Sequence, residues 1–399
     1  MSAGVATIEA MPDPATRAAE FVERKGAGHP DTLCDAMAEA VSHALSQIYL
    51  ARFGRILHHN VDKVLLAAGS AAPRFGGGHV TAPIRIVLAG RATAHAGGEA
   101  IDVEGIAVEA ARACLAARLR HLDVARDVRF DVRIRPGSAE LRALFARAPS
   151  VPLANDSSAG AGFAPLSPLE DLVLRCERML TAPGTRPHPA CGEDVKVAGI
   201  RHREDAALVV ACPAIDALMP DADAYDGYRL RVLDALRRTA DATPGVVIGR
   251  IDLNAADDPA TGEVYLTVSG SSAEAGDDGE AGRGNRACGL IAPGRPMTME
   301  ATAGKNPCSH TGKLYALLAQ EFAEEAVREI PGVAAAECLI ASRIGAPIDQ
   351  PALFHLRVAT APGATLPALA PALRERARGA CARLPRLWRR IVAGEARLF

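Results

Sequence analysis

The stretch Lys25-Gly-Ala-Gly-His-Pro-Asp31 puts a cation, two glycines, an imidazole and a carboxylate side by side. Glycines let a backbone approach a ligand closely. Their amides, followed by a helix start, suit an anion such as phosphate. Lys25 and His29 add positive charge or donors. Asp31 and Asp35 lie one helical turn apart on a shared face, where one or both can hold Mg2+. The spacing is not the GxxxxGK[ST] of a Walker A loop. The same residues also suit a plain glycine-rich turn in which Asp31 caps a helix.

Three further constellations carry chemistry. Residues 271–286 pack Glu274, Asp277 and Asp278 beside Arg283 and Arg286 in a segment too glycine-rich for a helix. Acids beside arginines suit a metal–phosphate site, the guanidinium taking phosphate oxygens. In residues 303–313, Lys305, His310 and Lys313 converge on one polyanion only if loop geometry brings them together. In Gly192-Glu-Asp-Val-Lys-Val197, Asp194 and Lys196 face the same side if both lie on a strand, as a reaction-centre pair or an ordinary ion pair. His58 and His59 point opposite ways on a strand and make a poor metal pair. There is no GxSxG, no HExxH and no GxGxxG after a strand, which argues against serine-hydrolase, zincin and Rossmann chemistry.

The elements that must position these residues follow from periodicity. Helices are expected over residues 31–51, with Pro30 at the first turn, and over 103–122, 139–147, 222–239, 312–329 and 366–392. Strands are expected over 63–68, 84–89 and 128–134. Residues 195–200 with 207–211, and 246–253 with 263–268, read as two hairpins, and 337–343 and 353–359 as two more strands. The segments 151–165 and 269–307 read as long functional loops. A hairpin followed by a helix recurs, which points to an α+β fold of structural repeats with helices on one face of mostly antiparallel sheets. The working division is a loose leader over 1–19, then interleaved repeats over 20–148, 149–245 and 246–399.

Composition bounds the rest. The 399 residues are 49% hydrophobic, with a net charge of −2, which gives no footprint of a nucleic-acid binder. No apolar run approaches a membrane span and no signal-peptide layout opens the chain, so a cytoplasmic location is expected. Nine scattered cysteines without a CxxC pair argue against a disulfide framework. Of 45 Lys plus Arg, five are Lys: Lys25, Lys63, Lys196, Lys305 and Lys313. A lysine that persists in so arginine-rich a chain marks a candidate site where a compact ammonium is needed.

Taken together, ERKGAGHPD, LHHNVD, PRFGGG, PLANDSSAGAGFAPL, GEDVKV, NAADDP, SAEAGDDGEAGRGNR, AGKNPCSHTGK and IGAPIDQP resemble, in order and over nearly the whole chain, the archaeal-type S-adenosylmethionine synthetases. The resemblance implies three pseudo-symmetric ββαβαββ-like repeats and a homodimer with active sites at the subunit interface. It implies a reaction in which the sulfur of L-methionine attacks C5′ of ATP. The released triphosphate is then cut to pyrophosphate and phosphate, with two Mg2+ and often K+ assisting. By resemblance, His29 contacts the triphosphate near the scissile bond, Asp31 ligates Mg2+, and Lys196 sits with Asp194 at the reaction centre. Arg283 and Lys305 hold phosphates, as do Lys25, His310 and Lys313. Asp277 helps hold methionine or metal, with Asp278 beside it, and Asn155 and Asp156 line the substrate pocket.

One departure stands out. The family's IGQGS is here Ile134-Arg-Pro-Gly-Ser138, in which Gly137 and Ser138 keep the ATP-contacting pattern while Pro136 replaces the glutamine. Pro136 keeps two alternatives open: a paralogue acting on a methionine analogue or mainly on tripolyphosphate, and a silent nucleotide-binding subunit.

Overall fold

Each core of this protein is one four-stranded sheet with two helices packed on one face. The computed structural model describes residues 6–138, 150–258, 261–298 and 300–399. In chain order the principal elements are β1 (Thr7–Ala10), β2 (Ala19–Lys25), α1 (Pro30–Phe53), β3 (His59–Ala67), β4 (Ile84–Ala92), α2 (Val103–Arg118) and β5 (Val128–Arg135). Next come β6 (Ala159–Ala164), α3 (Pro168–Thr181), β7 (Lys196–His202), β8 (Asp205–Ala211), α4 (Ala222–Asp241) and β9 (Ile248–Leu253). Last are β10 (Gly279–Glu280), α5 (Thr311–Glu329), β11 (Val333–Ala341), β12 (Leu353–Thr360) and α6 (Leu366–Val392).

The three sheets have strand orders β10-β3-β4-β5, β2-β7-β8-β9 and β6-β11-β12-β1. Each repeats one pattern: an antiparallel edge strand, an antiparallel hairpin, then a parallel fourth strand. A helix precedes each hairpin. A second helix, α2 or α4, carries the chain across to the parallel strand, as parallel pairing requires. The edge strands are exchanged in a ring. β2, which leads into α1, joins the second sheet; β6, which leads into α3, joins the third; β10, which precedes α5, joins the first. Three separate hydrophobic clusters fill the layers between sheets and helices.

The expected α+β class with mostly antiparallel sheets is therefore present, and three local expectations change. Residues 7–10 are not a loose leader. β1 fills the parallel position beside β12 that β5 and β9 fill in the other two sheets. Residues 246–253 and 263–268 do not form a hairpin: β9 pairs in parallel with β8, and Leu266–Thr267 pairs with Ala214–Ile215. Residues 159–164, expected in a loop, are β6. Their small side chains admit α5, since a Cβ on Gly160 would lie 2.0 Å from the Tyr315 carbonyl carbon. The helix expected over 139–147 lies outside the described residues. No described helix is long and apolar enough to cross a membrane.

Candidate active site

The turn from β2 into α1 is built around backbone contacts. The Gly26 amide donates to the Val195 carbonyl at 2.6 Å and the Gly28 amide to the Glu193 carbonyl at 2.9 Å. A Cβ on Gly28 would lie 2.6 Å from the Glu193 backbone, so only glycine fits without displacing that loop. His29 caps α1: its Nδ1 accepts the Asp31 amide at 3.2 Å, and Pro30 occupies the first turn, where a missing N–H costs nothing. Burial, reinforced by Lys25 and Lys196 against Asp31, lowers the His29 imidazole to about 4. The ring is therefore neutral at neutral pH. With Nδ1 acting as acceptor, its proton sits on Nε2.

Asp31 gathers three elements. Its Oδ2 accepts Lys25 Nζ at 2.8 Å, its Oδ1 accepts the Glu280 amide at 2.9 Å, and Arg283 Nε stands 3.9 Å away. Burial alone would raise this carboxyl; the bonds from Lys25 and Glu280 hold it below the usual range. Asn285 fastens the backbone of Lys25 from both sides, accepting its N–H at 3.0 Å and donating to its carbonyl at 2.8 Å. Asp277 lies at the surface beside them, where partial desolvation and the neighbouring Asp31 push its carboxyl up. Asp35 is buried one turn below, where it accepts the Gly282 amide at 2.8 Å and is raised to about 6 by burial.

Asp194 and Lys196 are not paired. β7 begins at Lys196, so Asp194 lies in the preceding loop and the two-residue alternation does not reach it. The Asp194 carboxylate accepts the Ser272 amide at 2.8 Å and the Ser272 hydroxyl, and burial raises it to about 7. Lys196 instead meets Glu23 at 3.0 Å, and Glu23 also lies 3.9 Å from Lys25. Lys25, His29, Asp31, Lys196, Asp277 and Arg283 thus converge from three stretches of chain.

The 303–313 segment forms a second cluster. Lys305 Nζ donates to Asp62 at 2.7 Å, and both are buried. Burial favours a protonated Asp62, yet Lys305 and Lys63 hold it at about 2. Lys313 is fully buried and donates to both oxygens of Glu39, at 2.8 and 2.7 Å. His310 caps α5 as His29 caps α1, its Nδ1 accepting the Gly312 amide, and burial with the nearby Lys305 lowers it to about 3. Within one chain these cations face Asp62 and Glu39 rather than the first cluster. Asp31, Asp35 and Glu39 recur every fourth residue of α1, so the clusters lie about 12 Å apart along that helix.

The other expected site residues are dispersed. Asn155 and Asp156 adjoin the second cluster: the Asn155 amide donates to the Ser309 carbonyl, and the Asp156 carbonyl accepts the Thr311 hydroxyl. Gly137 lies on the His58 ring, 2.7 Å separating a notional Cβ from His58 Cε1, and Ser138 is exposed. Asp278 accepts the Ala68 amide at 2.8 Å and ties β3 to the loop. Residues that motif reading passed over are Glu23, Ser272, Asn285, Asp62 and Glu39. Glu23 was within reach, because strand alternation puts it on the face of Lys25.

Among the described residues, no group of three or more His, Cys, Asp and Glu is placed to hold a metal ion. Magnesium bound with a phosphate chain needs only one or two carboxylates. Asp31 and Asp277, hard oxygen donors of which the first is close enough to raise the proton affinity of the second, match that requirement.

A sequence model described as S-adenosylmethionine synthetase matches residues 5–395. An S-adenosylmethionine synthase of Halobacterium salinarum is 44% identical over 394 residues, covering 96% of this chain and 95% of the relative. One from Methanothermobacter thermautotrophicus is 45% identical over 352 residues, 87% of each. Among solved structures, an unusual S-adenosylmethionine synthetase from Campylobacter jejuni superposes with a TM-score of 0.64 over 96% of this chain and 94% of that one; at 14% identity this likeness speaks to the fold alone. The chain belongs to the S-adenosylmethionine synthetase family.

Proposed function

We propose that the protein is a methionine adenosyltransferase. The observation that carries this reading is the convergence of Lys25, His29, Asp31, Lys196 and Arg283 at the β2–α1 turn in a chain of this family. A sulfur lone pair of methionine forms the new bond to C5′ of ATP. The C5′–O bond breaks, and its electrons go to the departing triphosphate. Stabilising that polyanion needs donors already aimed at it. Lys25, Lys196 and Arg283 supply the charge, and the Nε2–H of neutral His29 supplies a hydrogen bond at the bridging oxygen. Holding sulfur, carbon and oxygen in line falls to the fixed loops. Water then cuts the triphosphate to pyrophosphate and phosphate. Asp31 and Asp277 would hold Mg2+, which neutralises phosphate charge when bound.

We read the active form as a homodimer. Phe21 and Ile200, paired across β2 and β7, are 43% and 44% exposed on the face that also carries Lys196. A second copy over this face would bury them and close the site against water. All nine cysteines are free thiols, in keeping with a cytoplasmic location. The test is to incubate the pure protein with ATP, methionine and MgCl2, and to measure S-adenosylmethionine, pyrophosphate and phosphate. A parallel arm supplies tripolyphosphate alone. Absence of the sulfonium product sinks the reading; phosphate from tripolyphosphate without it favours a tripolyphosphatase. Light scattering that gives a monomer mass removes the dimer.

A further inference from the structure

We infer that Arg120 is a positioning residue for His29, acting from a neighbouring repeat through Glu193; the inference rests on the proposed adenosyl transfer. Arg120 follows α2 in the first repeat, yet its guanidinium reaches the loop before β7 in the second. Its Nε donates to Glu193 Oε1, and its Nη2 to the Cys191 carbonyl at 2.7 Å. Arg186 approaches the same Glu193 oxygen at 3.3 Å. The Glu193 side chain is 3% exposed, and its Oε2 has no hydrogen-bond partner among the described residues. A carboxylate so buried depends on its cations, and removing one leaves charge uncompensated.

What makes Glu193 consequential is its backbone. Its carbonyl accepts the Gly28 amide at 2.9 Å, and its amide and that of Asp194 both donate to the Gly270 carbonyl, at 3.1 and 2.9 Å. The Ser271 hydroxyl closes the circuit on the Gly28 carbonyl at 2.7 Å. Glu193 thus touches both loops that flank His29, and Gly28 has no Cβ to buffer a shift because Glu193 fills that space. A displacement of Glu193 is passed to the peptide before His29. Misplacement of a reacting group by about 1 Å costs up to about a hundredfold in rate.

The experiment compares wild type, Arg120→Ala, Arg120→Lys, Glu193→Gln and the double variant Arg120→Ala/Glu193→Gln in steady-state formation of S-adenosylmethionine, with melting curves alongside. The Arg120 side chain is 40% exposed, so its replacement is compatible with folding. Arg120→Ala lowers kcat about tenfold or more while KM for ATP and methionine stays within about threefold. Arg120→Lys recovers part of the loss, and the double variant loses no more than the worse single one, since one path is cut twice. Wild-type kcat in Arg120→Ala overturns the inference, as does a loss carried by KM alone, or losses that multiply in the double variant. A wild type that forms no sulfonium overturns the proposed function and this inference with it.

Discussion

Lys25 and Lys196 stand directly opposite each other in the register of β2 and β7. Like charges so placed repel, and Glu23 lies between them, 3.0 Å from one ammonium and 3.9 Å from the other. The pair is an anion site held ready by one shared counter-charge. In Glu23→Gln Lys25 keeps Asp31 while the ion pair of Lys196 is lost, and the fold loses up to about 1 kcal/mol. Tripolyphosphate with Mg2+ then raises the melting temperature of Glu23→Gln more than that of wild type. Equal shifts in the two proteins refute the idea.

Replacing each lysine by arginine separates chemistry from packing. The Lys196 side chain is 44% exposed, so Lys196→Arg keeps its stability but loses at least about tenfold in kcat, ~1.4 kcal/mol of transition-state stabilisation. Lys305 is buried against Asp62. Lys305→Arg loses kcat similarly and also about 1–3 kcal/mol of stability from overpacking. Chemical denaturation beside steady-state kinetics tells the two apart; wild-type kinetics in both variants would falsify their roles as compact charges.

Deleting the first ten residues removes β1 and uncovers the edge of β12. The parallel pairing of Thr7–Ala10 with residues 355–358 is lost, together with the packing of Ala6 and Ile8 on the third core. The truncated protein is less stable by at least about 2 kcal/mol and more prone to aggregate through the bare edge. An unchanged melting temperature contradicts the pairing.

His59 makes stability depend on pH. Burial lowers its imidazole to about 3, so below its ordinary value near 6.5 only the unfolded chain takes up this proton. The stability it contributes is complete above pH 6.5 and is lost as pH falls from there towards 3. Asp194, raised from 3.8 to about 7, runs the other way: its contribution is complete below 3.8 and is lost as pH rises from there to 7. Urea unfolding of wild type and His59→Gln between pH 4 and 6 isolates the histidine. The variant's slope against pH is smaller by up to about 1.4 kcal/mol per unit. Parallel slopes rule it out.

The elements most readable from sequence were those with local punctuation. α1 begins at Pro30 and stops at Gly54, whose φ of 68° suits glycine. α3 carries an equally clear signal, the Ser167–Glu170 capping box with Pro168 in its first turn, which the reading by periodicity left unassigned. The β9 pairing and the exchange of edge strands were not readable. Each short strand carries a local pattern, whereas its partner is set by which helix lies on top. β6 hid for a related reason, its alanines and glycines recording the closeness of α5 rather than a turn. The first cluster was legible as residues but not as partners. Asp194 binds Ser272 and Lys196 binds Glu23 because the strand starts at Lys196, two residues later than a pairing of Asp194 with Lys196 on one strand face requires.

The ring of exchanged strands constrains the order in which this protein can be made. A nascent chain emerges from its N-terminus, so β1 leaves the ribosome long before β12, its partner near the other end. At ~5–20 residues per second the first strand waits on the order of tens of seconds. β2 likewise has no neighbour until β7 is made, and the first sheet lacks its edge until β10 follows. The sheets are therefore completed out of order, the second once β9 is made, the first once β10 follows and the third only when β12 emerges.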